Sequence, residues 1–481
     1  MYDKKQTVDR LSMKAVQSSS RPANRMLHRK GLGKARNDGV PFVVALFIVG
    51  LLTPLFIYAG TLRLSVYRIV LLALFFPSLY LLVLGKAGRI KIADICVVLI
   101  CIWSSLSLTV VHGFTEMIET IGIFWVETLG AYLIGRCFIR TPEAFYSTVR
   151  MFFFLGLLLI PFALFEMFTG RNYVLDFFDS LGATYADVPK EKRLGFERVQ
   201  GPFAHQIHMG VFFGALIGLT YYVLGYQRRW LGRMGRSGAI AFLGFSSLSS
   251  GPLVGMMTQI YMLLWDGIMN RVRQRWYVFV GLAVAGFVTV DLISNRTPFH
   301  VIVEYLSFNK DTAYNRIHIW NFGTESIFAN PVFGIGLSEN WERPWWMSPS
   351  VDMFWIVGGM RHGVLVWGLY IFLFLIVFVA VAMKKNLSER VSWYRTGYLI
   401  SMFGFFMAGW TVHFWDAIYA FFMFLFASGI WILDYQQSEV SEDAGNSNQA
   451  KTPVPHSGYT RFPTASVLSD TQSNAASTHE Q

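Results

Sequence analysis

The chain has 481 residues, of which 54% are hydrophobic, 16% aromatic and only 15% charged. Because soluble domains carry about 25% charged residues, this composition excludes an ordinary soluble protein and indicates a membrane protein. The net charge of +11 does not indicate nucleic-acid binding, because the basic residues lie between apolar runs. Three cysteines show neither metal-ligand spacing nor a disulfide framework and are expected to be small core residues; they are Cys96, Cys101 and Cys137.

Both ends of the chain are polar. Residues 1–40 contain ten Lys and Arg residues and no apolar core, which predicts a cytosolic, disordered arm rather than a cleavable signal peptide. Its basic residues are expected to set the topology of the first span, and they could also touch anionic lipid. Residues 434–481 are rich in Ser, Thr, Asn, Gln and Pro, which predicts a disordered cytosolic tail.

Apolar runs fill the chain between these ends, and each could span a bilayer, which requires about 20 apolar residues per helix. The twelve runs are residues 41–60, 64–84, 92–112, 117–138, 148–168, 204–226, 237–250, 252–269, 277–294, 353–383, 396–412 and 414–433. The run 117–138 is weaker because it contains Glu119 and Glu127, and the two short runs after residue 236 could form one broken hairpin. We therefore expect an all-α, polytopic membrane domain over residues 41–433 with about twelve transmembrane helices.

The connections between these runs alternate in charge. Lys and Arg residues number three, three, four, three and four near residues 85–91, 136–150, 227–236, 270–276 and 384–395. The short loops near residues 59–63, 113–116, 250–252 and 412–413 together contain only Arg63. Because basic loops stay in the cytoplasm, this pattern places both termini there. It also places two long loops, residues 169–203 and 295–352, outside the cytoplasm, the second one between spans nine and ten.

The second long loop contains ten Asp, Glu, Lys or Arg residues between Arg296 and Asp352, so chemistry is most expected there. Arg316 and Trp320 share a face if their segment is helical, with His318 between them. Trp341 and Trp345 suit either a tryptophan belt at the membrane interface or stacking on sugar rings. Asp352 could be a general base, or it could be the partner of an arginine at the membrane edge. Arg361 follows inside the tenth span.

The first long loop ends with Arg193, Arg198, His205 and His208 at the entrance of the sixth span. Ionisable residues at a membrane edge are costly and tend to be functional. Arg198 could equally be an interfacial arginine whose charge extends to water, and each histidine could have a structural role. If Arg198 and Arg316 meet, their guanidinium groups form a natural clamp for a diphosphate, because they match phosphate oxygens bidentately. No metal cluster or glycine-rich nucleotide loop is evident, so no cofactor is expected.

Four segments resemble the bacterial O-antigen ligase and polysaccharide polymerase family. They are ERVQGPFAHQIHMGVF, FLGFSSLSSGPLVGM, NRIHIWNFGTESIFANPVFGIG and SVDMFWIVGGMRHGVLVWG, within roughly residues 190–385. The resemblance implies a multi-spanning inner-membrane glycosyltransferase that acts without metal, outside the cytosol, on undecaprenyl-diphosphate-linked glycans. It also implies that Arg198 and Arg316 match two arginines of the family.

The chain departs from the family pattern at two positions. A Ser-Arg-Gly motif of the ligases reads Ser249-Ser250-Gly251 here, and Asp352 stands where the ligases have a histidine eleven residues before the glycine aligned with Gly363. These departures favour the polymerase branch over a lipopolysaccharide ligase.

The expected function is therefore polymerisation of undecaprenyl-diphosphate-linked oligosaccharide repeat units at the periplasmic face of the inner membrane. The expected partners are the lipid-linked donor, a glycan acceptor, membrane lipids, and the export and chain-length proteins of the polysaccharide. Three alternatives stay open: an O-antigen ligase that uses a lipid A core or another acceptor, a flippase for the same lipid-linked sugars, and a non-enzymatic scaffold of a polysaccharide export complex. A flippase requires a polar path through the bilayer, for which the candidates are Arg68, Glu127 and Glu166.

Overall fold

A computed structural model describes residues 39–189, 191–294, 310–338 and 340–436. Almost all of the expected arm and tail, residues 1–40 and 434–481, lies outside the described residues, as does the start of the second long loop, residues 295–309. The described chain is mostly helical, which confirms the expected class.

The helices and strands are as follows in chain order. They are α1 (Phe42–Leu51), β1 (Phe56–Ala59), β2 (Leu62–Ser65), α2 (Val66–Val83), α3 (Ile92–His112), α4 (Phe114–Phe138), α5 (Pro142–Thr169), α6 (Tyr173–Asp179), α7 (Gln206–Ala215), α8 (Ile217–Tyr222), α9 (Trp230–Ser246), α10 (Ser250–Ile268), α11 (Arg275–Ile293), α12 (Lys310–Ala329), α13 (Phe354–His362), α14 (Val364–Met383), α15 (Glu389–Gly409), α16 (Ala417–Ala427) and α17 (Trp431–Asp434). Helix α4 contains one π-helical turn, Val126–Gly130.

Seven helical segments among the described residues are long and apolar enough to cross a membrane. They are α2, α3, α4, α5, α11, α14 and the segment Ala417–Asp434 formed by α16 and α17. Their length and composition are compatible with a membrane protein, whereas the count of about twelve spans stays a prediction.

The expectation of a purely helical fold, with one span over residues 41–60, is wrong at the start of the domain. Helix α1 ends at Leu51, and β1 and β2 then form an antiparallel hairpin. Pro54 lacks the N–H that would extend α1, and it disfavours helical backbone at the residue before it. Gly60 has a φ of +66° and is the first residue of the two-residue turn, as two-residue hairpins often require.

Other predicted spans are also broken. The run 353–383 is divided at Gly363, whose φ is +85° and where a Cβ atom would lie only 2.4 Å from the carbonyl oxygen of Val332. The run 204–226 is divided at Leu216, between α7 and α8. Gln259 of α10 stabilises that break, because it accepts from the Gly218 N–H at 3.0 Å and donates to the Gly214 carbonyl at 2.7 Å.

Side-chain contacts join the basic loops at one end of the domain. Lys91 pairs with Asp434 at 2.6 Å, and Arg390 pairs with Glu143 at 2.7 Å. Lys384 donates to the carbonyl oxygen of Leu433 at 2.8 Å. We call this end the basic end; it comprises residues 84–91, 139–143, 384–390 and 433–436.

The remaining long connections meet at the opposite end. Leu55 forms a β-bridge with Thr184, which joins the hairpin to the first long loop. Arg63 of the hairpin pairs with Asp416 at 3.4 Å, and the backbone N–H of Leu337 donates to His112 at 2.8 Å. We call this end the site end; it comprises residues 52–65, 170–189, 191–205, 247–250, 330–338, 340–363 and 410–416. The loops that the charge pattern groups together therefore contact one another.

Close packing of α4 on α16 provides a test of the fold. A Cβ atom at Gly135 would lie 2.3 Å from the carbonyl oxygen of Phe424, whereas a Cβ atom at Gly238 of α9 would meet nothing within 4 Å. We expect Gly135→Ala to lower the free energy of unfolding by about 1–3 kcal/mol, because overpacking separates the helices. Gly238→Ala, the matched control, should be neutral or stabilising by about 0.5–1 kcal/mol. Thermal unfolding in detergent measures both, and equal melting temperatures would contradict the packing.

Candidate functional site

Three arginines from two long loops converge on one short segment, residues 247–251, which leads into α10. They are Arg193 and Arg198 from the first loop and Arg316 from the second. A helix N-terminus carries unpaired N–H groups and a partial positive charge, which attract anions. The structure therefore adds three positive side chains to an end of a helix that already favours negative charge.

Arg198 is only 9% exposed and lies against this segment. Its Nε donates to the Ser247 carbonyl at 3.2 Å and its Nη2 donates to Ser249 Oγ at 2.7 Å. Both acceptors are uncharged, so these bonds orient the guanidinium group without neutralising its charge.

Arg316 reaches the same segment from α12 and is 7% exposed. Its Nε donates to the Thr411 carbonyl at 3.1 Å, and its Nη2 would lie 3.3 Å from a Cβ atom at Gly251. Thr411 in turn donates through Oγ1 to the Gly251 carbonyl at 3.0 Å. The absence of a side chain at Gly251 thus leaves the space in which Arg316 approaches the start of α10.

Arg193 is close enough to the other two arginines for its positive charge to lower the pKa of both. Its Nη1 donates to the Leu248 carbonyl at 2.9 Å, one residue from the contacts of Arg198. It is the first residue of the tight turn in which the backbones of Arg193 and Phe196 exchange two hydrogen bonds. The resemblance implies an arginine at Ser250, and Arg193 brings a guanidinium group to that same segment.

The pKa values of two of these arginines reflect their surroundings. Burial, and secondarily the positive charge of Arg193, lower the pKa of Arg198 to about 10. Burial also lowers the pKa of Arg316 to about 10, with the charge of Asp352 opposing and that of Arg193 adding to the effect. Both side chains stay charged at neutral pH, in a site where a bound anion would relieve the mutual repulsion.

Glu166, near the end of α5, fixes the loop that carries Arg198. Its two carboxylate oxygens accept the backbone N–H groups of Gln200 and Gly201 at 2.7 and 3.0 Å. Gln200 is fully buried and donates to the carbonyl oxygens of Ala186 and Phe203, both at 3.0 Å. A charged acceptor and a buried amide thus hold the loop in one conformation, which positions Arg198.

Asp352, the predicted base, is half-buried and precedes α13. It accepts a hydrogen bond from Ser350 Oγ at 2.8 Å. Its charge raises the pKa of Arg316 against the effect of burial, so the two charges are neighbours. This placement suits both interpretations of Asp352, the base and the partner of an arginine.

Three other predicted residues lie in contacts with aromatic rings. His205 caps α7, because its Nδ1 accepts the Ile207 N–H at 3.1 Å, and its ring lies 6.3 Å from that of Trp415. The ring of His318 lies edge-on to that of Trp346, with 5.0 Å between their centres. The ring of Trp320 packs edge-on against that of Trp410, a packing contact on the face that also carries Arg316.

The remaining predicted residues separate into buried and exposed ones. Trp341 is 6% exposed and donates to the Pro349 carbonyl at 3.1 Å, which indicates a structural role for its indole N–H. Trp345 is 94% exposed and is available to a ligand or an interface. Arg361 lines two adjoining cavities at the site end.

Sequence reasoning missed the role of residues 411–416, which it divided between the end of one predicted span, a short connection near residues 412–413 and the start of the next span. Thr411 binds Arg316, Trp415 packs 3.9 Å from the ring of His208, and Asp416 binds Arg68 at 2.9 Å. The signal was the presence of a histidine and an aspartate between two apolar runs in a chain poor in charge. The same signal marked Arg68 and Glu127, but their pairing across 59 residues depends on the fold.

The chain matches no model of a known protein family and none of the curated proteins with which it was compared. The functional argument therefore depends on the residues themselves and on the four segments quoted above.

The arginine site should bind a diphosphate. We expect inorganic diphosphate to raise the melting temperature of the purified protein, because a ligand at 100 times its dissociation constant stabilises by about 2.7 kcal/mol. Arg198→Gln should abolish most of this increase. Arg228→Gln removes an exposed arginine near the basic end and should leave the increase unchanged. An equal loss in both variants would mean nonspecific charge binding.

This stabilisation should depend on pH in a stated direction. Arg198 and Arg316 lose their charge as the pH rises through about 10, so the increase caused by diphosphate should fade over that range. The protein without the anion should gain stability there, because its folded state holds these protons less tightly than the unfolded chain does. Melting curves from neutral pH to above 10 test both trends, and an increase that stays constant above pH 10 would contradict the assignment.

Glu166→Gln should disturb the site without touching the anion. A glutamine offers one acceptor oxygen to two N–H donors, and hydrogen bonds to a charged group are worth about 1.5–3 kcal/mol. We expect a lower melting temperature and weaker stabilisation by diphosphate. Glu116→Gln changes an exposed residue of α4 and serves as the control. Unaltered diphosphate stabilisation in Glu166→Gln would show that Arg198 keeps its place without this carboxylate.

Proposed function

We propose that this protein is a glycosyltransferase that joins undecaprenyl-diphosphate-linked oligosaccharide repeat units into a bacterial surface polysaccharide. The observation that carries the proposal is the convergence of Arg193, Arg198 and Arg316 at the start of α10. Three guanidinium groups at a helix N-terminus suit a diphosphate better than any other common anion of a membrane substrate.

The reaction proceeds by displacement at a sugar carbon. An acceptor hydroxyl attacks the anomeric carbon of the donor, and a new C–O bond forms while the bond from that carbon to the diphosphate breaks. The electron pair leaves with the diphosphate, whose charge the three arginines stabilise. Asp352 positions the acceptor hydroxyl and takes its proton. The products are the elongated glycan and undecaprenyl diphosphate.

The charge pattern supports a location for this chemistry. The basic end includes parts of three of the five Lys- and Arg-rich connections, so we assign it to the cytoplasm of a bacterial inner membrane. The site end then faces the periplasm, with both termini in the cytoplasm. Nucleotide sugars are cytoplasmic, so a lipid-linked donor fits this location, and export and chain-length proteins would act on the product.

The flippase alternative is less well supported. Its three candidate residues have protein partners: Arg68 pairs with Glu127 at 2.8 Å and with Asp416 at 2.9 Å, and Glu166 binds two backbone N–H groups. Such pairing favours a fixed structural or binding role over a path along which a headgroup moves. The ligase alternative uses the same chemistry and differs only in the acceptor.

The surface glycan and lipid-linked intermediates of a deletion strain test the function. A polymerase predicts single repeat units on undecaprenyl diphosphate at the periplasmic face and no polymer. Full-length polymer retained on the lipid would instead identify a ligase. Repeat units trapped at the cytoplasmic face would identify a flippase and contradict the proposal.

Arg316→Ala in that strain tests the clamp. Removal of one group that stabilises transition-state charge lowers rates by about 10²–10³. We therefore expect short or absent polymer with accumulated single repeat units, at normal protein level in the membrane. Arg228→Ala, with its exposed arginine near the basic end, should restore normal polymer. Normal polymer length and yield with Arg316→Ala would rule out the clamp.

A further inference from the structure

A cavity of about 240 Å³ lies at the site end between α3, α4, α13 and α16. Pockets for drug-sized ligands measure about 300–1,000 Å³, so this cavity suits a smaller group such as one sugar ring. Its walls combine aromatic rings with ionisable side chains. The aromatic residues are Phe124, Phe354, Tyr370, Phe414, Trp415 and Tyr419.

Glu127 lines this cavity and is held in place by two donors. Its Oε1 accepts from Tyr67 Oη at 2.6 Å and from Arg68 Nε at 2.8 Å. Its Oε2 accepts no hydrogen bond from any described residue, although the side chain is only 7% exposed. Glu127 also lies in the π-helical turn of α4, and such turns are frequent at functional sites. Glu127 therefore lines the cavity with one carboxylate oxygen that is bonded to no described residue.

Asp416 is the second carboxylate at the cavity wall. Its φ of 50° and ψ of −133° are unusual for a residue with a side chain, and such strain concentrates at ligand and active sites. Arg68 donates to Oδ1 of Asp416 at 2.9 Å as well as to Glu127, so one arginine holds both carboxylates. The π-helical turn at Glu127 and the unusual backbone conformation of Asp416 thus place two carboxylates, both held by Arg68, at one cavity.

A second cavity, of about 260 Å³, adjoins the first. The two share Leu337, Val357, Arg361 and His413 as wall residues. The second cavity is also lined by Ser350 and Val351, the residues just before Asp352. A continuous row of wall residues therefore leads from the segment of Asp352 to Glu127 and Asp416.

We propose that these two cavities bind the sugar residues of the acceptor glycan, with Glu127 and Asp416 accepting hydrogen bonds from sugar hydroxyls at the inner end. Carboxylates oriented by an arginine, beside the faces of aromatic rings, provide the polar and apolar contacts that a pyranose requires. The identification of the bound sugar as the acceptor rests on the function proposed above. The proposal that the cavities bind sugar depends only on their size and lining residues.

Direct binding tests the site independently of catalysis. The probes are oligosaccharides released by partial acid hydrolysis from the surface polysaccharide of the producing cells. Saturation-transfer NMR with the purified wild-type protein should show contact with these sugars. Thr120→Trp places a large ring in the cavity without removing a charge, and should weaken binding about tenfold or more, equivalent to about 1.4 kcal/mol. Thr115→Trp, at an exposed position of the same helix, is the matched control and should bind normally.

A second variant tests the carboxylate directly. Glu127→Gln keeps the size of the side chain and should also weaken sugar binding, while stabilisation by inorganic diphosphate stays normal in both Glu127→Gln and Thr120→Trp. This diphosphate response also shows that the variants are folded. Absence of sugar contact in the wild-type protein, or equal contact in Thr120→Trp and Thr115→Trp, would overturn the proposal.

The same variants separate this proposal from the proposed function. If the protein binds the sugars as expected but the deletion strain still makes polymer, the site stands and the polymerase assignment fails. If the deletion strain lacks polymer but Thr120→Trp restores it fully, the polymerase assignment stands and the acceptor site fails.

Discussion

The candidate site depends on holding three positively charged arginine side chains close together in a partly buried region. Arg193, Arg198 and Arg316 repel one another, and burial removes much of the water that would screen them. Among the described residues, Arg193 and Arg198 donate only to carbonyl and hydroxyl oxygens. The arrangement persists because Glu166 and Gln200 fix the loop that carries Arg198. A site that is costly without an anion and favourable with one is a site prepared for a ligand.

Breaks in the helices supply the polar groups that this arrangement requires. Helices leave unpaired N–H and C=O groups only at their ends, so a membrane protein that presents such groups must end or interrupt a helix. Here α10 begins at the arginines, α13 and α14 are divided at Gly363, and α16 begins at Asp416. Each of these ends lies at the site end, so one side of the domain combines backbone polarity with charge.

Much of the fold could be predicted from the sequence, because long apolar runs and alternating loop charges are local signals. Arg198 and Arg316 could be singled out in the same way, as rare charges beside apolar segments. The sequence also suggested a diphosphate clamp formed by Arg198 and Arg316 and singled out Arg193, but the contacts of these arginines with residues 247–251 could not be predicted, because they depend on tertiary packing. The hairpin after α1 was missed because its residues are apolar enough to read as a span. Asp416 was missed because it lies inside the predicted span 414–433, although a charge in such a run is itself a signal, and its unusual backbone conformation cannot be inferred from the sequence.

The central claim is that this chain alone transfers a glycan from a diphosphate lipid by means of the arginine site. The most direct test is reconstitution of the purified protein in lipid nanodiscs with undecaprenyl-diphosphate-linked repeat units extracted from the deletion strain. The account predicts glycan chains of two or more repeat units and release of undecaprenyl diphosphate by the wild-type protein. It predicts neither product from a variant that lacks Arg198 and Arg316. Donor that remains unchanged with the folded wild-type protein, or equal product from the double variant, would contradict it.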